Sequence, residues 1–238
     1  FDTARKAEQL TNGLVTPTLL GAILEAGYDR PFDQLPHQTS SAPAAPIAAS
    51  QTLGALTVDE MTRSISLPFG ISLDFGGVAK GWSAHQAMTR LQADGPALVD
   101  AGGDIAMSGP RLDGSPWQIG IADPFHPNTE IEILSVNKGG VATSGKDRRN
   151  WVHNGVQQHH IIGPFTNRPA ESDLLTVTVV APDVMQAEAA AKAAFILGSK
   201  PGLEWLESQI NFAGLFILEN GQTLYSQNMQ HICETVKE

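Results

Sequence analysis

The chain has 238 residues, 42% of them apolar, and 15 basic against 25 acidic side chains give a net charge of −10. That anionic excess argues against nucleic acid as a main partner, because phosphate backbones are held by clustered Lys and Arg. The apolar fraction suffices for a buried core, and the single cysteine, Cys233, excludes an intrachain disulfide framework or a thiolate metal cage.

Residues 1–11 and 18–27 read as short helices split by Thr11-Asn-Gly-Leu-Val-Thr-Pro-Thr18, where Gly13 and Pro17 break the pattern and Thr16 or Thr18 caps the second helix. The first residues are already helical in character, with no initiating Met. The expectation is a piece of a longer protein whose N-terminal strands, and any export signal or membrane anchor, lie outside it, so the compartment is not legible. Residues 36–50, rich in Pro, Ala and Ser, predict a flexible surface loop. Alternating segments predict strands at 52–58, 62–68 and 71–74, the last running into Gly76-Gly77, and a helix follows from 78 to about 93.

Strands are expected at 96–100, 104–108, 117–122 and 129–136, then at 140–143 and 157–162 on either side of a polar segment containing Lys146, Arg148 and Arg149. The β-rich run 174–180 leads into an Ala-rich helix over 184–197, stopped by Gly198. A short helix at 201–208, a hairpin turning at Asn220-Gly221 and a tail at 227–238 complete the reading. Helices and strands do not alternate regularly, so the class is α+β.

Three places carry chemistry. A carboxylate, two glycines and a helix start in Asp74-Phe-Gly-Gly-Val-Ala-Lys-Gly81 form a turn whose backbone N–H groups and Lys80 suit a phosphate; a plain turn is the alternative. A second turn, Asp100-Ala-Gly-Gly-Asp104, either offers an acid to a ligand hydroxyl or is a hairpin connection in which Asp104 bonds its own backbone. The Lys146/Arg148/Arg149 group gives an acidic chain a local cationic site beside Thr143 and Ser144, and His160 is either a general base or a satisfied core histidine. His159 and His160, adjacent on a strand, face opposite ways.

These motifs, with Ala97-Leu-Val-Asp100, Ala142-Thr-Ser-Gly145, His160-Ile-Ile-Gly-Pro164 and the stretch from Ala187 to Gly198, resemble in order and spacing the ApbE family of FAD:protein FMN transferases over about 8–226. The resemblance implies an ApbE-type, T-fold-related α+β domain over 1–226 and a C-terminal tail. It implies FAD as substrate, Mg²⁺, and transfer of FMN through a phosphoester bond to a Thr or Ser hydroxyl of a flavin-acceptor protein, with release of AMP. By position, Leu14, Val15 and Thr16 lie along the nucleotide, while Asp74, Lys80, Gly102, Gly103, Ser144 and Ile162 contact FAD. The Gly77 carbonyl and Glu188 fall at metal-ligand positions, Lys192 falls where a ligand is lost, and His160 is the proton acceptor.

Three departures touch the chemistry. The family's Asp and Thr on the metal-binding helix are Glu188 and Lys192, its His-x-x-Asp-Pro lacks the acid at Gly163, and its early Phe-Asp is Val15-Thr16. A lysine ammonium has no lone pair to donate to a metal. Either Lys192 takes the metal's place beside a diphosphate, or Glu188 and Lys192 form an ordinary i,i+4 pair on a helix face. Two functions stay open: an active flavin transferase, or a catalytically degenerate flavin-nucleotide binder acting as carrier, sensor or scaffold.

Overall fold

Leu174–Ala181 is a strand buried along nearly its whole length, on both faces, as its continuous run of β-branched and apolar residues requires. It lies inside a six-stranded sheet whose order in space is Thr223–Tyr225, Ala213–Leu218, Leu174–Ala181, Gly139–Gly145, Ile105–Met107 and Leu98–Asp100. All neighbours are antiparallel, and Val177 sits between Phe216 and Ser144. The structure, a computed structural model, describes residues 1–36, 38–40 and 52–233.

One face of the sheet carries the helix Val184–Leu197. The Asp183 carboxylate starts it by accepting the Gln186 N–H at 2.9 Å, and Gly198 ends it at φ +82°. Ala187, Ala190, Ala191 and Ala194 pack with Val177, Val179 and Phe216. Ala189 and Ala193 pack with Ala4 and Ala7 of the N-terminal helix Asp2–Leu10 and with Val15, and Val184 meets Ala84 and Met88 of the helix Ala79–Leu91. A helix covered on all sides needs small residues wherever backbones approach closely. Gly140 serves this purpose in the strand below, because a Cβ there would overlap the Val184 backbone.

The hairpin Trp117–Ala122 and Glu130–Val136 covers the opposite face, turning Ile119, Ile121, Leu134 and Val136 toward Met107, Val141 and Leu215. A smaller layer joins the helix Leu20–Glu25 to the strand Asn150–His153: Trp151 stacks on Tyr28 at 5.2 Å and donates its indole N–H to the Ala26 carbonyl at 2.7 Å.

Several expectations need correction. The segment 71–74 joins no ladder; the Asp74 N–H instead donates to the Pro17 carbonyl at 2.7 Å, which ties the early loop to the first glycine turn. Neither Thr16 nor Thr18 caps the second helix, whose N-cap is Leu19; the two hydroxyls lie 3.2 Å apart, bonded to each other. The strands expected at 52–58 and 62–68 shorten to Thr57–Asp59 and Ser64–Ser66, the first preceded by a 3-10 turn at Leu53–Ala55. Gly139–Gly145 and Val156–His159 belong to different sheets, the latter pairing with Asn150–His153 inside the polar segment.

Most of the loop expected at 36–50 lies outside the described residues, although Gln38–Thr39 pairs with Val152 and His153 as a short parallel strand. The tail expected at 227–238 is partly ordered: Gln227–Gln230 is helical, Met229 and Cys233 are fully buried, and Cys233 bridges to Leu134, while 234–238 lie outside the described residues. The hairpin at Asn220-Gly221 forms as expected, with Gly221 at φ +85°.

Gly140→Val drives a branched side chain into the start of the central helix. Urea denaturation is expected to show a loss of about 3 kcal/mol or failure to fold, whereas the same change at Gly109, where a Cβ meets nothing, costs far less.

Candidate active site

The early loop is built by one buried hydroxyl. Thr11 donates its Oγ1–H to the Ala7 carbonyl at 2.7 Å and accepts the Val15 N–H at 3.0 Å, while Asn12 and Gly13 turn the chain at φ +49° and +83°. Leu14, Val15 and Thr16 are thereby set along the rim of a cavity of about 540 Å³, a size common for small-molecule sites.

Asp74, Gly77, Lys80, Gly102, Gly103, Ser144, His160, Ile162 and Lys192 line the same cavity. Glu188 does not, because it lies behind Lys192, 1% exposed. The walls also contain residues the sequence did not suggest: Tyr28, Ile119, Ile121, Thr176 and Ile196. Ile119, Ile121, Thr176 and Ile196 are strand and helix residues and Tyr28 lies in the loop after a short helix; none carries a signal that distinguishes a pocket wall from core.

At the first glycine turn most N–H groups are already used. Gly76 donates to Asp74 Oδ1 at 2.9 Å, Val78 and Ala79 to the Phe75 carbonyl, and Gly81 to Glu188 Oε2 at 3.0 Å. The turn therefore offers less of an N–H cradle than expected, and charge is supplied by lysines.

Lys192 spans the Gly77 surface, where an added Cβ would lie 3.7 Å from its Cε. Lys80 runs past Gly102, and its Nζ meets Asp104 Oδ2 at 2.8 Å. The second turn thus corrects the sequence reading. Asp100, not Asp104, bonds the turn by accepting the Gly103 N–H at 2.7 Å, and Asp104, 1% exposed, holds the lysine. Gly102 and Gly103 adopt φ +68° and +91°, which L side chains resist.

Lys192 Nζ lies 3.1 Å from Glu188 Oε1. The pair is i,i+4, but it is no solvated surface pair: the lysine side chain is 15% exposed and faces the cavity. Burial pushes the Glu188 carboxyl upward, Lys192 pulls it back down, and the nearby Asp104 charge pushes it up again, so both ion pairs belong to one electrostatic network.

Magnesium does not fit this arrangement. Both Glu188 oxygens are engaged, an ammonium stands at the neighbouring position, and Mg²⁺ demands near-octahedral oxygen ligation. Among the described residues, no group of three or more His, Cys, Asp or Glu side chains is placed to hold a metal ion.

His160 is a cavity residue rather than a core one. Its Nδ1 is buried with no hydrogen-bond partner, and its pKa is lowered to about 3 by burial first and then by Lys192 and Arg149, against a hydrogen bond to the Arg149 backbone that raises it. His159 points away, its Nε2 3.1 Å from the Ala170 carbonyl. Of the three expected cations, Arg148 and Arg149 line the cavity, whereas Lys146 is held elsewhere by Glu219 at 2.7 Å and the Ser172 carbonyl at 2.7 Å. Gly163 is buried in the turn after His160, its carbonyl accepting the Thr166 and Asn167 N–H groups.

The cavity between the two glycine turns is thus lined by Lys80, Lys192, Arg148 and Arg149, with a histidine that burial and the nearby cations keep neutral at its wall. Residues 1–216 match the ApbE family, and the chain belongs to it. The FAD:protein FMN transferase of Vibrio cholerae is 32% identical over 156 residues, covering 64% of this chain and 46% of that protein. The enzyme of the same name from Treponema pallidum is 35% identical over 162 residues, covering 62% and 44%. The chain thus spans about half the length of the curated relatives it matches. Among solved structures, the ApbE protein of Thermotoga maritima superposes with a TM-score of 0.82 at 27% identity, covering 97% of this chain and 75% of that one. The flavin transferase ApbE of Vibrio cholerae superposes with a TM-score of 0.74 at 25% identity, covering 97% and 74%.

The folded chain keeps His160 neutral down to about pH 3, whereas the unfolded chain protonates it near 6.5. Unfolding therefore takes up a proton between these values, and stability falls on acidification through this window by up to about 1.4 kcal/mol per pH unit from this residue. Above pH 6.5 the contribution is constant. Urea titrations at several pH values should show a correspondingly shallower acid slope in His160→Gln than in the parent.

Proposed function

We propose that this chain is an FAD:protein FMN transferase, binding FAD in the cavity and passing FMN to a Thr or Ser hydroxyl of an acceptor protein. The observation that carries the reading is the convergence of Leu14–Thr16, the two glycine turns, Ser144, His160 and Lys192 on one cavity, from segments far apart in sequence. The names of the curated relatives support the same chemistry.

In this reading Lys80 and Lys192 hold the diphosphate, and the apolar wall around Tyr28 and Ile162 takes a less polar part of the nucleotide. The acceptor hydroxyl oxygen attacks the flavin-side phosphorus, forming the new O–P bond. The bond from that phosphorus to the bridging oxygen breaks, and the oxygen departs with AMP. His160, which lines the cavity, takes the hydroxyl proton on its imidazole. Its basicity is held low by burial and, after that, by the charges of Lys192 and Arg149; a bound diphosphate offsets those two charges and raises it, so the base strengthens when substrate is present.

Mass spectrometry of an acceptor domain carrying a Thr or Ser flavinylation motif, incubated with this protein and FAD, should show a mass gain equal to covalent FMN. His160→Gln should still bind FAD but transfer about 10²–10⁴-fold more slowly. FAD binding without any transfer by the parent would favour the degenerate binder instead.

A further inference from the structure

The two lysines of the cavity share a construction. Each crosses one glycine turn, and each is backed by a carboxylate removed from solvent: Asp104 behind Lys80 and Glu188 behind Lys192. A carboxylate in such a place would ordinarily be read as a cation ligand. Here Glu188 Oε2 is taken by the Gly81 N–H and Oε1 by the ammonium.

The central helix fixes this outcome. Ala187, Ala189, Ala190 and Ala191 around Glu188 are fully buried, so the acid cannot swing to solvent, and Lys192 is one helical turn along on the same face. An ammonium has three N–H donors, and among the described residues its hydrogen-bond partner is Glu188 Oε1. Two donors are left on a group that lines the cavity.

We propose that the Lys192 ammonium is a built-in counter-cation for the ligand's diphosphate, so that nucleotide binding at this site requires no divalent metal. The proposal rests on the flavin-nucleotide reading above and adds its charge balance. A tethered ammonium carries one positive charge where a divalent ion carries two; Lys80, running past Gly102 at the second glycine turn and lining the same cavity, supplies the second. Glu188 acts as a positioning residue that holds the ammonium over Gly77 and touches no ligand atom itself. Free Mg²⁺ then has no place to enter and can only compete for the diphosphate in solution.

Calorimetric titration of the full chain with FAD, in EDTA and in millimolar Mg²⁺, tests this. The parent should bind with dissociation constants that agree within about twofold in the two buffers. Lys192→Met should weaken FAD at least tenfold, about 1.4 kcal/mol, and Lys192→Arg should restore most of the loss. Riboflavin, which lacks the diphosphate, should bind the parent and Lys192→Met alike. Because Lys192→Met strands a buried acid, the double variant Lys192→Met/Glu188→Gln is measured beside it, with circular dichroism to verify folding, and should show the same loss.

FAD binding by the parent only with Mg²⁺, or undiminished binding by the folded double variant, would overturn the assignment while leaving the flavin reading intact. No FAD binding in either buffer would overturn both.

Discussion

Close approach of an alanine helix to everything around it is the constraint on which the rest of the structure depends. Val184–Leu197 is packed by the sheet on one side, the N-terminal helix on another and the helix after the first glycine turn on a third. Large side chains would push these layers apart, and Gly140 and Gly81 mark where even a methyl group is too much: a Cβ at Gly81 would lie 2.8 Å from Glu188 Oε2 and 3.0 Å from the Val184 carbonyl. A charged residue set into such a helix has nowhere to go, so Glu188 must find partners inside. It finds the Gly81 N–H and the Lys192 ammonium.

That packing also sets the site's electrostatics. The ammonium drawn toward Glu188 is held over a glycine surface, and its charge reaches His160, where with burial and Arg149 it keeps the ring neutral. Structural and chemical roles are thus not separable at this helix. The acid that satisfies a helix start also holds the cation, and that cation depresses the base. An anionic ligand reverses one link of the series, because its charge meets the two lysines first and relieves the histidine second.

Much of this was legible in the sequence because it depends on local rules. Paired glycines at 102 and 103 mark their turn, the Gly198 stop ends the central helix, and Asn220-Gly221 specifies its hairpin. Most of the motif positions carried by the family resemblance converge on one cavity, and many of them, such as Asp74, Gly77, Lys80, Gly102 and Gly103, sit at a turn or an element end. What could not be read is set by long-range pairing. Asp100 and Asp104 are equivalent by position in the turn, and only the approach of the helix carrying Lys80 decides which acid caps and which one pairs. Residues 71–74 have strand-like composition but no neighbouring strand, and the Pro17 carbonyl takes the bond a ladder would have supplied. Tyr28 and Ile119 look like core because, apart from the opening beside them, they are.

The back of the sheet is closed by the last described turn, where Met229 and Cys233 enter the cluster formed by Leu134, Val141 and Leu215. Tyr225 stands beside this corner, its hydroxyl pushed up to about 12 by burial, by Glu132 and by Cys233. The thiol has no solvent exposure and is the chain's only one. An alkylating reagent therefore reaches it only when the turn lifts from the sheet, which makes the labelling rate of Cys233 an intrinsic clock for the opening of that corner. The clock is read on the side of the sheet opposite the central helix, in the cluster whose Ile119 and Ile121 also wall the cavity.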